Sequence, residues 1–285
     1  MSSSTTLYDV DPWKVTENGL DDTTNRASES IFTVGNGRFG LRANFEEKYS
    51  GDSLSGHYVG GVYYPDRTKV GWWKNGYPET FAKVLNSTNW SKIGVVINDV
   101  ELDLFTAHNV IEFKRELDMK RGLVTRLFEV EVVNGVIIRV KAERFCNMHN
   151  PNRAAIKYSI EAIQGVEQVV ISPAVDADVT NEDSNWNEAF WKFDKGVILD
   201  EVGCVINTTE KTCFTVATAF ASNLEFNGKL IDALNFATAD QEVFATYKIG
   251  DVKDGDKFVL TKFIGIVSSL NHEVEGLSEL AFAES

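Results

Sequence analysis

What this sequence most plainly lacks is a surplus of positive charge: 28 Lys and Arg stand against 42 Asp and Glu, a formal net charge of -14. Nucleic acid and anionic membrane surfaces both select a cationic face, so neither is expected as a partner. Long apolar runs are missing too, and no stretch reaches the roughly 20 residues that cross a bilayer. Met1-Ser-Ser-Ser-Thr-Thr has neither the charged start nor the apolar centre of a secretory signal, which points to the cytoplasm. Cysteine is scarce and odd in number. Cys146, Cys204 and Cys213 share no ligand spacing, and the plain expectation is reduced, buried thiols. His57, His108, His149 and His272 are scattered, with no pair at metal-binding spacing, so no metal is expected. Internal repeats and low-complexity linkers are absent, which favours one domain.

A chain of 285 residues can bury about three quarters of its unfolded surface, enough for one large core. Its 43% hydrophobic and 25% charged residues are ordinary for a globular protein. Most of the pattern is β. Ile93 to Ile97 and Val100 to Leu104 flank an Asn98-Asp99 turn. Leu123 to Val132 alternates, with Phe128, Val130 and Val132 on one face and Glu129 and Glu131 on the other. Asn134-Gly135 is the strongest hairpin signal, and Val136 to Phe145 is the return strand. Further strands are expected at Ala154 to Ile163, Gln168 to Ile171, Gly196 to Leu199 and Phe214 to Phe220. The last expected pair is Glu242 to Ile249 with Lys257 to Val267, joined across Asp254-Gly255. Many short strands with turn residues between them predict an all-β fold: a large antiparallel β-sandwich with at most a short C-terminal helix, around His272 to Ala283. Tyr8 to Asn25 reads as a polar leading segment packed by Trp13 and Leu20.

Gly35, Gly37 and Gly40 match the Gly-x-Gly-x-x-Gly pattern of dinucleotide sites, whose mechanism needs a helix directly after the glycines. Here Leu41-Arg-Ala-Asn-Phe45 alternates like a strand instead. The reading is a strand through Ile31, Phe32 and Val34, a tight Gly-Asn-Gly turn, and a return strand. Glu46-Glu47 reads as a solvated or interface pair.

The stretch Ser30-Ile-Phe-Thr-Val-Gly-Asn-Gly-Arg-Phe-Gly-Leu-Arg-Ala-Asn-Phe-Glu-Glu47 resembles the N-terminal signature of glycoside hydrolase family 65. The family usually has Gly where Ala43 stands. Gly60-Gly-Val-Tyr-Tyr-Pro-Asp-Arg-Thr-Lys-Val-Gly-Trp-Trp-Lys-Asn-Gly-Tyr-Pro-Glu79 is similar to its maltose phosphorylase branch. The resemblance runs from about Asp11 to the C-terminus and implies an N-terminal domain only. On that reading residues 1–10 are a disordered tail, 11–270 a β-sandwich, and 271–285 the start of a linker to an absent catalytic (α/α) barrel. The resemblance implies that the whole enzyme is an inverting phosphorylase converting maltose and phosphate to glucose and β-glucose 1-phosphate. Inorganic phosphate is then a co-substrate and no cofactor is needed. Trehalose, kojibiose and nigerose are the alternative disaccharides. The partners implied are the chain's own barrel, the disaccharide and a second copy in a homodimer.

Inverting chemistry needs a carboxylic acid to protonate the leaving oxygen, and the family carries it on the barrel. Asn185-Trp-Asn-Glu188 is the nearest lookalike here, in a polar loop between strands, and no residue is assigned a catalytic role. The candidate substrate-proximal loop is aromatic. Tyr63, Tyr64, Trp72, Trp73 and Tyr77 fall within fifteen positions, beside Asp66, Arg67, Lys74 and Asn75. Rings stack on sugars, but they equally form interface cores. Trp72, Trp73, Lys74, Asn75 and Tyr77 are the residues placed nearest a sugar, and Trp186 with Trp191 makes a second cluster. Two other readings compete: a free-standing carbohydrate-binding module and a purely structural dimerisation domain.

Overall fold

The computed structural model describes residues 7–69 and 76–285. The chain is an antiparallel sandwich built on one 11-stranded sheet facing a 5-stranded one, with two small sheets at the margin. In spatial order the large sheet runs Tyr8–Val10, Lys14–Asn18, Asn109–Asp118, Leu123–Val133, Val136–Cys146, Arg153–Gln164, Lys257–Ser268, Thr215–Phe226, Val202–Thr209, Trp191–Leu199, and the eleventh strand, Lys229–Ile231, pairs with the end of Thr215–Phe226. The facing sheet runs Asn235–Ala239, Glu242–Ile249, Val169–Asp176, Ile93–Ile97, Val100–Glu101.

Strict alternation forms the long strands. Leu123–Val133 buries every second residue, and its partner Val136–Cys146 buries Ile138, Val140 and Ala142 on the same face. Apolar side chains from both sheets close into one core. The Asn134-Gly135 turn joins these strands as the sequence predicts, with Gly135 at φ +81°. The glycine signature also forms a hairpin. Val34–Gly35 pairs with Phe39–Leu41, and Gly37 turns the chain at φ +85°. Gly35 and Gly40 oppose each other so closely that a Cβ on Gly35 would lie 3.2 Å from the Gly40 Cα. Asn36 clamps the turn: its Oδ1 accepts the amides of Arg38 and Phe39, and its Nδ2 donates to the carbonyls of Asn147 and Pro151.

Several expectations are corrected. Ile31 ends a helix, Asn25–Ile31, rather than belonging to a strand with Phe32. This helix buries Asn25, Ser28 and Glu29, a polar face that no hydrophobic period reveals. Tyr8–Val10, within the stretch read as a tail, pairs with Lys14–Asn18 at the edge of the large sheet. Trp13 does not pack that segment and is 57% exposed, whereas Leu20 does rest on the core. Glu242–Ile249 and Lys257–Ser268 form no pair with one another. The first joins the 5-stranded sheet beside Val169–Asp176, and the second lies between Arg153–Gln164 and Thr215–Phe226 in the large one. Cys146 and Cys204 are buried, but Cys213 is exposed.

The C-terminal helix Leu277–Glu284 crosses the outer face of the large sheet. Leu277 and Ala281 pack on Cys204, Ala217, Ala219 and Val267, and Arg153 Nε donates to Glu284 at 2.6 Å. Gly265 permits this approach, because a Cβ there would meet the Ala281 carbonyl at 2.4 Å.

Candidate functional site

The first feature that invites a functional reading lies inside the sandwich. Arg115, Arg126, Arg144 and Lys262 point into the core from four strands of the large sheet, all nearly solvent-free. Segment 44–47, which follows the glycine hairpin, neutralises two of them. Arg126 donates to both Glu47 oxygens and to Glu46, while Arg144 donates to Glu46 Oε1 at 2.7 Å and to the Asn44 carbonyl. Tyr158 donates to Glu47 at 3.0 Å. Glu46-Glu47 is thus a buried ion-paired knot, not a solvated pair. Burial pushes the Glu46 carboxyl up, but Arg144 and Arg126 outweigh it and hold it below its ordinary value. Arg115 is met by Glu17 Oε2 at 3.0 Å, Asn25 Oδ1 at 2.9 Å and the Ala43 carbonyl. Lys262 donates to the carbonyls of Trp90, Lys92 and Ala174, which ties the large sheet to the small one. These groups hold one another, so the cluster is structural.

His57 is a second buried polar group. Its ring meets Ser91 Oγ at 3.0 Å and the edge of Trp90. Burial, with Arg144 and Lys262 nearby, pushes its pKa down to about 3, so it is neutral near pH 7. Among the described residues no cluster of His, Cys, Asp and Glu is arranged to hold a metal.

The second candidate is the margin hairpin Tyr63–Arg67 with Thr80–Val84, joined through a loop in which Gly76 adopts φ +89°. Trp72, Trp73, Lys74 and Asn75 lie outside the described residues. Tyr77 is 47% exposed and stands edge-on to Phe81, itself 40% exposed. Tyr63 faces outward, whereas Tyr64 is core, stacked on Phe190 at 4.2 Å. Trp186 is half-exposed, with the cations of Arg67 and Lys69 over its ring at 5.9 and 5.2 Å. Trp191 turns inward and donates to the Asn86 carbonyl. Tyr77 and Phe81 thus form one exposed aromatic pair, whereas Tyr63 lies on the opposite face of the hairpin against Phe214, and Trp186 stands under Arg67 and Lys69.

The hairpin is fastened from behind. Asp66 is fully buried, and its Oδ2 accepts from the Asn185 amide and from Lys83 Nζ, both at 3.0 Å. Asn185 Nδ2 and Trp186 Nε1 donate to the Arg67 carbonyl. Glu188, from the acid lookalike, bridges Lys211 Nζ at 2.6 Å and the Tyr64 hydroxyl at 3.2 Å. The Lys211 hydrogen bond holds its carboxyl below the usual range, the reverse of what a proton donor to a leaving group needs. Beside the hairpin runs an open groove of about 580 Å³ lined by Arg26, Tyr58, Lys83, Asn86 and Asn181. Its polar groups satisfy each other: the Asn86 amide donates to Asn181 Oδ1, Asn86 Nδ2 to the Thr180 carbonyl, and Arg26 to Glu182.

Residues 15–284 match the N-terminal domain of glycosyl hydrolase family 65. The chain belongs to that family. This domain is 39% identical over 225 residues to maltose phosphorylase of Bacillus subtilis (strain 168), covering 77% of the chain and 29% of that protein. It is 27% identical to an alpha,alpha-trehalose phosphorylase of Thermoanaerobacter brockii, over 98% of the chain and 37% of that protein. A solved structure described as a putative kojibiose phosphorylase from human microbiome superposes with a TM-score of 0.83 at 23% identity, over 97% of this chain and 35% of that one, which establishes the shared fold. The family 65 domain thus spans about a third of the length of these relatives.

Proposed function

We propose that this domain is the non-catalytic N-terminal sandwich of an inverting disaccharide phosphorylase, one that converts maltose and phosphate to glucose and β-glucose 1-phosphate. The 39% identity to a maltose phosphorylase favours maltose over trehalose, kojibiose or nigerose. The observation that carries the domain's own role is the set of exposed apolar side chains on the margin hairpin. A hairpin pinned through buried Asp66 leaves Tyr77 and Phe81 exposed on one side and Tyr63 with Val84 on the other, which suits an interdomain contact better than free solvent. In the full protein this hairpin meets the chain's own catalytic barrel or a second copy in a homodimer. The loop holding Trp72, Trp73, Lys74, Asn75 and Tyr77 then walls part of the sugar site. The unpaired cysteines fit a cytoplasmic enzyme.

Assay of maltose phosphorolysis tests the reading. The longer protein should release β-glucose 1-phosphate, and the 285-residue chain alone should release none. Turnover by the chain alone, abolished by Glu188→Gln, overturns it. The exposed rings also favour a second reading as a carbohydrate-binding module. Saturable binding of maltose to the isolated chain at millimolar or tighter affinity would select it over the interface.

A further inference from the structure

We infer that Asn134 is a built-in site of spontaneous deamidation, with Glu131 as the proton acceptor that promotes it. The sequence contains five Asn-Gly pairs, at Asn18, Asn36, Asn75, Asn134 and Asn227, and four lie among the described residues. Asn-Gly is the dipeptide most open to this chemistry, because glycine puts no side chain in the way of its own nitrogen. What separates the four is how the side-chain amide and the glycine nitrogen are held.

Three of them are tied down. Asn36 is held at both ends of its amide, Oδ1 by the amides of Arg38 and Phe39 and Nδ2 by the carbonyls of Asn147 and Pro151. Asn227 is held likewise, Nδ2 by Asp256 Oδ1 at 2.8 Å and Oδ1 by the Lys257 amide at 2.9 Å. Asn18 Nδ2 donates to Asp9, and the Gly19 amide that would have to attack is spent on the Phe113 carbonyl at 2.8 Å. Asn134 differs on both counts. It is exposed at the tip of a long two-residue-turn hairpin, and its side-chain amide makes no hydrogen bond to any other described residue. The Gly135 N–H donates to a carboxylate, Glu131 Oε1, at 2.8 Å. The proton that must leave the nucleophile already points at a base.

The reaction balances without any co-reactant but water. Glu131 takes the proton from the Gly135 nitrogen, and that nitrogen attacks Asn134 Cγ. The Cγ–Nδ2 bond breaks and ammonia leaves, carrying the proton back. Water then opens the five-membered imide at either carbonyl, leaving aspartate or, with one extra backbone methylene, isoaspartate. Either product puts a new negative charge in the turn beside Glu131.

Peptide mass spectrometry with isoaspartate labelling tests this on the intact chain, held folded in mildly alkaline buffer. Among positions 18, 36, 134 and 227, conversion should concentrate at Asn134. Glu131→Gln should slow it by about tenfold or more while the far-ultraviolet spectrum stays unchanged. In concentrated urea the four sites should converge to similar rates, because the fold no longer discriminates. Conversion at Asn18, Asn36 or Asn227 as fast as at Asn134 in the folded chain overturns the assignment of the site. A Glu131→Gln rate equal to or above the parent's overturns the role of the carboxylate.

Discussion

Arg126 grips Glu47 with two parallel hydrogen bonds, Nη1 to Oε1 at 2.5 Å and Nη2 to Oε2 at 2.6 Å, on the inner face of the large sheet. The pair joins the family signature, residues 30–47, to the long central strands. The glycines turn the chain so that Glu46 and Glu47 arrive opposite Arg126 and Arg144. This explains physically why the signature is rich in both glycine and charge.

Glu47→Ala should therefore destabilise the fold by roughly 3–5 kcal/mol, because Arg126 keeps its charge and loses its closest counter-ion in the core. Urea unfolding followed by tryptophan fluorescence measures it. A cost under about 1 kcal/mol would mean that the knot is hydrated.

His57 predicts a specific acid response. Its folded pKa is pushed down to about 3 from an ordinary 6.5, so below pH 6.5 the unfolded chain binds a proton that the folded chain refuses. Stability attributable to His57 is fully present above pH 6.5 and falls as the pH drops towards 3. By pH 5 the loss is about 2 kcal/mol, before most carboxylates titrate. Unfolding at pH 7.5 and 5 should show this fall in the parent and a much smaller one in His57→Gln.

Gly265→Ala tests how the C-terminal helix is seated. The added methyl would lie 2.4 Å from the Ala281 carbonyl, so Leu277–Glu284 must lift from the sheet. We expect a loss of about 1–3 kcal/mol and faster hydrogen exchange confined to that helix and the strands beneath it. Unchanged protection in the helix would show that it yields without undocking.

Asp66→Ala tests the fastening of the margin hairpin. Burial raises the Asp66 pKa, but the Asn185 amide and Lys83 outweigh it, so the carboxylate is ionised. Its loss orphans the Asn185 amide and leaves Lys83 held only by Asp183 and Asn185, at a cost of about 1–3 kcal/mol. Limited proteolysis should then cut within 63–84 well before the sandwich opens. Global unfolding without early cleavage would mean that the hairpin is held by its other contacts.

Local chemistry made much of the sandwich legible. Period-2 alternation located Leu123–Val133, and Asn134-Gly135 supplied the turn whose Gly135 takes positive φ. Leu41-Arg-Ala-Asn-Phe45, with no helical pattern, argued against a nucleotide loop, and the structure makes Gly35–Leu41 a hairpin. A further signal was present but unused. Arg126 stands in the apolar phase with Val124 and Phe128, and Lys262 stands in phase with Leu260 and Ile264. A cation on a buried phase implies a buried partner.

What the sequence determined by itself was the period, the turns and the family, because these depend on neighbours a few residues apart. Only the tertiary structure decided which strands pair, which charges meet and which rings stay outside. Alternation says that a strand has two faces, not which sheet it joins, so Glu242–Ile249 and Lys257–Ser268 could part into different sheets. The helix Asn25–Ile31 was invisible for a related reason. Its buried face is polar and is stabilised by Ser53, Leu54 and Arg115, residues far along the chain whose approach no local pattern encodes.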